Sequence, residues 1–175
     1  MIFQDEVEIH LHPPLTRMWA RNGTQPQVPA PGQNEKRVVY GGVDYATGRM
    51  IYTITETKSG WNFIAFLVIL LKAYAGKKIR LVCDNARFHH TKAVQSFLAE
   101  HTDQLKIFWL PPYCPDLNLI ERVWGHLKRT ALANVLYCSI GDLVAAFKTA
   151  VKRISGHRER MGFVFNHDDV TKRAA

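Results

Sequence analysis

The run from Arg37 to Thr55 leaves this chain little choice of fold. Two strand-like stretches, Arg37 to Asp44 and Arg49 to Thr55, are separated only by Tyr45-Ala-Thr-Gly48, a spacing that suits a tight hairpin and makes the two pair antiparallel. A third stretch precedes them. From Phe3 to Leu11, the apolar Phe3, Val7, Ile9 and Leu11 share one face while Gln4, Glu6, Glu8 and His10 share the other, the period of two of a strand with one face inward. Between this run and the hairpin, Pro26, Pro29, Pro31 and Gly32 interrupt any regular element from Thr24 to Gln33. Three strands in succession with no helix between them predict an antiparallel meander.

Beyond Thr55 the pattern changes to alternation of helix and strand. A helix is expected from Ser59 to Ala75, with Ser59 as N-cap, Gly76 as stop, and an apolar run from Trp61 to Leu71 that belongs in the core. Strand four follows as Ile79 to Asp84, a helix as Thr91 to Glu100, and strand five as Leu105 to Leu110, stopped by Pro111 and Pro112. Two helices, Leu117 to Asn134 and Ser139 to Ser155, close the chain, the second with Leu143, Phe147, Val151 and Ile154 at helical spacing. The 175 residues suit a single domain with its own core, residues 1–175. The fold class is therefore α/β: a mixed five-stranded sheet, three antiparallel strands then two parallel ones, flanked by helices. That is the element order of the ribonuclease H fold.

Three acids break these patterns. Asp5 points to the apolar side of the first strand, and Asp84 stands where strand four runs out into Asn85. Glu121 falls inside the helical stripe Leu117, Ile120, Trp124, Leu127 and Ala131, on the face expected to be buried. An uncompensated buried carboxylate costs several kcal/mol, so something must neutralise each of them. Carboxylates at the ends of neighbouring strands can converge on one point. Three of them can hold a pair of divalent ions about 3.5–4 Å apart, the arrangement that phosphodiester chemistry uses. Oxygen ligands on rigid elements, with no Cys/His cage, favour two Mg²⁺ or Mn²⁺ ions over zinc. Two other acids have plainer explanations: Asp44 opens a turn, and Asp116 is expected as a helix N-cap. Asn85 and Asn118 flank the acids and could orient them.

Lys and Arg number 23 against 15 Asp and Glu, a net charge of +8. Many of the basic residues crowd the last third: Lys128, Arg129, Lys148, Lys152, Arg153, Arg158, Arg160, Lys172 and Arg173. Such a surplus points to an anionic partner, nucleic acid rather than membrane. Arg87, His89, Lys128 and Arg129 lie near the three acids in this scheme and are candidate DNA phosphate contacts. Cys83, Cys114 and Cys138 are odd in number and widely spaced, which argues for a reducing compartment and against a zinc knuckle. No basic start with an apolar core opens the chain, so a cytoplasmic location is expected.

Three motifs make the chain specific. Gln4-Asp5-Glu6, then Val82-Cys83-Asp84-Asn85-Ala86-Arg87-Phe88-His89-His90, then Leu110-Pro-Pro-Tyr-Cys-Pro-Asp-Leu-Asn-Leu-Ile-Glu121 with Val123-Trp124-Gly125, resemble the DDE transposases of bacterial insertion sequences related to the Tc/mariner superfamily. The resemblance implies that Asp5, Asp84 and Glu121 bind two metal ions, with Asp5 bridging them and the other two holding one each. It further implies hydrolysis at the end of a DNA element, then attack of the freed 3′ hydroxyl on target DNA with no covalent enzyme intermediate, and a homodimer holding two ends. Family members carry helix-turn-helix domains ahead of the first catalytic aspartate. Asp5 stands almost at the start here, so that region is expected to be absent from this chain and supplied, for instance, by a separate reading frame. Cys114 and Leu119 stand where serine and proline are frequent in the motif. The residues leave two other functions open: a catalytically silent DNA-binding or assembly remnant, and a stand-alone metal-dependent nuclease.

Overall fold

The structure is a computed structural model that describes residues 1–29, 32, 34–112 and 114–165. At its centre lies β1 (Ile2–His10), flanked on one side by the hairpin of β2 (Lys36–Asp44) and β3 (Met50–Thr55), and on the other by β4 (Ile79–Cys83) and β5 (Leu105–Trp109). The order across the sheet is β3-β2-β1-β4-β5. The first three strands pair antiparallel, and β1/β4 and β4/β5 pair parallel, as the succession of sequence periods predicts. The turn between β2 and β3 forms because Asp44 accepts hydrogen bonds from the Ala46 amide and the Thr47 hydroxyl at 3.0 Å each, while Gly48 takes a left-handed φ of 69°.

The parallel pair needs crossovers, and these supply the helices. Helix α1 (Gly60–Ala73) and α2 (Lys92–Glu100) cover one face of the sheet, where Phe63, Phe66, Leu67 and Leu70 pack on Ile2, Val38, Tyr40 and Leu81. Ser59 caps α1 as expected, its hydroxyl accepting from the Asn62 amide at 3.1 Å. On the other face, α3 (Ile120–Leu127) and α4 (Ile140–Ile154) set Ile120, Val123, Trp124, Leu127 and Phe147 against Phe3, Val7, Ile9 and Val39. The short α5 (Gly162–Phe165) adds Val164 to that layer.

Four expectations are corrected. The helix predicted from Leu117 begins at Ile120, because the Asn118 side chain is committed to β1 and donates to the Gln4 carbonyl at 2.8 Å. Asp116 therefore lies in a 3₁₀ turn, Pro115–Leu117, rather than at an N-cap, and Leu117 is 54% exposed. Trp61, expected in the core, is 73% exposed, since it precedes the buried face set by Phe63, Phe66 and Leu67. Finally, Gln4 and Glu6 are not on a solvated face. Both are buried, because α1 and a 3₁₀ turn, Arg87–His90, cover that side of β1. Among the described residues no helix is long and apolar enough to cross a membrane. Lys172 and Arg173 lie outside the described residues.

Candidate active site

The parallel pairing of β1 with β4 extends over only two residues, Ile2 opposite Leu81 and Phe3 opposite Val82. Beyond it the chain opens a cavity of about 400 Å³ whose wall includes Asp5, Asp84, Asn85, Leu110, Asn118 and Glu121. The three predicted acids thus share one cavity, each delivered by a different element. Asp5 comes from the middle of β1, Asp84 from the residue after β4, and Glu121 from the first turn of α3.

Asp5 is the buried member. Its Oδ2 accepts a hydrogen bond from the Trp124 indole N–H at 3.1 Å, which ties the carboxylate to the helix that carries Glu121. Across the β1/β2 ladder Asp5 faces Gly41, and the Trp124 ring occupies the space a side chain there would need. Burial raises the Asp5 carboxyl from its ordinary 3.8 to about 8, and the negative charges of Glu121, Glu6 and Asp84 add to the effect. A carboxyl moved this far by burial and by neighbouring charges marks a candidate functional position.

Asp84 behaves in the opposite way. A hydrogen bond from His89 holds its carboxyl below the usual range, and the Ala86 amide, 3.2 Å from Oδ1, acts in the same direction. Glu121 corrects the reading of its helix: it is exposed and lines the cavity mouth rather than the buried face. The inward stripe is Ile120, Val123, Trp124 and Leu127, and Glu121 sits one residue step, roughly 100°, round from Ile120.

His89, expected as a DNA contact, is 1% exposed and has no surface to offer a phosphate. It sits against Phe63 and Phe88, ring centroids 4.2 and 4.3 Å away. Its Nδ1 faces Asp84 Oδ1 at 3.2 Å and the Asp84 carbonyl oxygen at 3.3 Å, and its Nε2 faces Glu6 Oε1 at 3.2 Å. Burial by itself would lower the imidazole, yet the hydrogen bonds to Asp84 and Glu6 outweigh it and raise the ring to about 9. Gln4 completes the group by donating to Glu6 Oε1 at 2.6 Å. Sequence reasoning missed the Gln4–Glu6–His89 cluster; the available signal was a polar pair on a central strand, where both faces of the sheet are covered.

The remaining candidates lie at the surface. Arg87, Lys128 and Arg129 are exposed, and the Arg129 guanidinium lies over Gly125, one turn beyond Glu121, with Nη1 3.2 Å from the point where a Cβ would stand. Asn85 is bonded through Oδ1 to His90 Nε2 at 2.5 Å, and the His90 ring packs on Trp109. Asp44 remains a turn residue, further bonded by the Tyr74 hydroxyl at 2.9 Å.

The cavity wall offers three carboxylates and one amide oxygen of interest. Asn118 is among the residues of the wall, and its Oδ1 is buried with no donor reaching it among the described residues. This all-oxygen set suits a hard divalent cation that keeps part of its water. Among the described residues no three His, Cys, Asp or Glu side chains are drawn tightly enough to enclose an ion; the acids line one cavity without closing on a point.

The family model described as "DDE superfamily endonuclease" matches residues 1–144. A curated relative, the insertion element IS630 uncharacterized 39 kDa protein of Shigella sonnei, is 32% identical over 156 residues, covering 89% of this chain and 45% of the relative. The chain spans about half the length of the curated relative it matches. Among solved structures, the Mos1 mariner paired end complex with Mn superposes with a TM-score of 0.71 at 18% identity, over 94% of this chain and 50% of that one. The catalytic domain of Mos1 mariner transposase superposes with a TM-score of 0.65 at 16% identity, over 94% and 73% respectively. These likenesses show a shared fold, the ribonuclease H-like mixed sheet flanked by helices.

Proposed function

This chain belongs to the DDE superfamily of endonucleases, and from that premise we propose that it is the catalytic domain of a transposase acting on DNA phosphodiesters with two divalent ions. One observation carries the proposal: three carboxylates from separate elements line a single cavity, and the most buried of them, Asp5, is raised to about 8 by burial and by the neighbouring carboxylates Glu121, Glu6 and Asp84. Asp5, Asp84 and Glu121 would hold Mg²⁺ or Mn²⁺, with Asn118 Oδ1 accepting from water in the same wall. Bound there, the ions supply an activated water or hydroxyl at neutral pH and neutralise charge at the scissile phosphate.

The protein's own residues set the geometry. Trp124 bonds Asp5 Oδ2, and the Asn118 amide ties the segment ahead of α3 to β1, so two hydrogen bonds join the strand that carries Asp5 to the helix that carries Glu121. Arg87, Lys128 and Arg129 are exposed and would bear on the DNA backbone. The reaction is hydrolysis at the end of a DNA element followed by attack of the 3′ hydroxyl on target DNA, with element ends and target as partners. A homodimer would hold two ends together. The relative from an insertion element and the Mos1 neighbours support this assignment over a simple nuclease.

The test is a cleavage and strand-transfer assay with Mg²⁺ or Mn²⁺ on DNA carrying the element's ends, comparing the native chain with Asp84→Ala. The native chain should cut and join, and the variant should lose both by several orders of magnitude. Equal cutting by the two would overturn the assignment of these acids, and cutting without joining would indicate a nuclease.

A further inference from the structure

The sheet does not by itself fix Asp84 relative to Asp5, since the β1/β4 ladder stops at Phe3 and Val82, before either acid. What spans the gap is a chain of side chains. Glu6, next to Asp5 on β1, reaches His89 Nε2 at 3.2 Å, and His89 Nδ1 reaches Asp84 Oδ1 at 3.2 Å. The His89 side chain is wholly enclosed and that of Glu6 almost so, and the ring is packed against Phe63 and Phe88, so it has little freedom to turn. Gln4 bonds the same Glu6 oxygen and holds the far end of the chain. Oδ1 of Asp84 therefore receives two donors, His89 and the Ala86 amide, while among the described residues no donor reaches Oδ2.

We propose that His89, braced by Glu6, is a positioning residue that fixes the Asp84 carboxylate through Oδ1 and leaves Oδ2 as the oxygen that meets a divalent ion, an inference that rests on the two-ion reading of the cavity. Enclosed as it is, His89 touches neither DNA nor ion. It acts by setting the angle and distance of Asp84 across the part of the sheet where backbone pairing has ended. Partners of this kind behind a metal ligand change affinity by roughly 10- to 100-fold when removed.

Two substitutions separate this role from packing. In His89→Asn the amide nitrogen stands near the position of Nδ1 and keeps the donor to Asp84 while losing Glu6. In His89→Gln it stands near Nε2 and keeps Glu6 while losing Asp84. Both lose the ring. Mn²⁺ affinity of the full chain, measured from free Mn²⁺ by electron paramagnetic resonance beside a thermal melt, should stay within about threefold of native in His89→Asn and fall about tenfold or more in His89→Gln. Equal affinities in the two variants, or the reverse order, would overturn the proposal. Glu6→Gln, which keeps the volume but weakens the brace, should lower Mn²⁺ affinity several-fold and serves if neither His89 variant folds; unchanged affinity there overturns the proposal too. Asp84→Ala is the control for the premise. Native chain that binds Mn²⁺ no better than Asp84→Ala defeats the two-ion reading itself, whereas native binding with no loss in His89→Gln defeats only the positioning role.

Discussion

Asp5 controls the electrostatics of the cavity, and its titration has a definite sign. Its carboxyl is near 8 in the folded chain against an ordinary 3.8, so the folded state keeps a proton that the unfolded state gives up. The stability this contributes is fully present below about pH 4 and is lost as pH rises through about 8. In chelator, the melting temperature of the native chain should fall across that window, whereas Asp5→Asn should lack most of the fall; identical pH profiles would show that Asp5 is not the group responsible. His89, raised to about 9, also loses stability towards alkaline pH, so the difference between the two proteins isolates Asp5. Adding Mn²⁺ at pH 8 should restore the native chain, by about 2.7 kcal/mol at a hundredfold excess over its dissociation constant. The inward position of Asp5 was legible because it shares the apolar side of a period-two strand with Phe3, Val7 and Ile9. Glu121 was misjudged because Leu117 and Ala131 widened the apparent stripe, while the packed stripe is centred on Ile120, Val123, Trp124 and Leu127.

Helix α3 and strand β2 meet through the absence of a side chain. The Trp124 ring lies where a Cβ on Gly41 would stand, with one ring carbon 2.7 Å from that point. Gly41→Ala should push the indole away, weaken its bond to Asp5 and cost about 1–3 kcal/mol by overpacking, read as a lower urea midpoint. Gly141→Ala, in the first turn of α4 with its nearest neighbour at 3.5 Å, should be neutral or stabilising by up to about 1 kcal/mol. A similar loss at both positions would refute the steric account. The antiparallel meander and its hairpin were legible because periods of two and punctuating turns are local signals. The start of α3 was not, because a tertiary bond from Asn118 to Gln4 sets it, 114 positions away in the chain. The burial of Glu6 was hidden for the same reason: only the covering elements reveal that a polar pair on β1 faces inward.

Over the whole molecule the basic surplus, +8 at neutral pH, should make DNA affinity fall steeply with salt. Lys128→Ala and Arg129→Ala should each reduce the slope of log affinity against log salt by about 1 if each contacts a phosphate. An unchanged slope would place those residues outside the DNA footprint. Neither substitution should alter Mn²⁺ affinity, since neither side chain lines the cavity. Four tryptophans are distributed unevenly over the same surface: Trp19 and Trp61 are largely exposed, Trp109 lies at the boundary, and Trp124 is enclosed. Under an aqueous quencher the exposed indoles are silenced and half-exposed Trp109 is dimmed, while the enclosed ring whose N–H is bonded to Asp5 keeps its emission. The domain thus carries its own optical gauge of what sits against that carboxylate, readable without label, substrate or turnover.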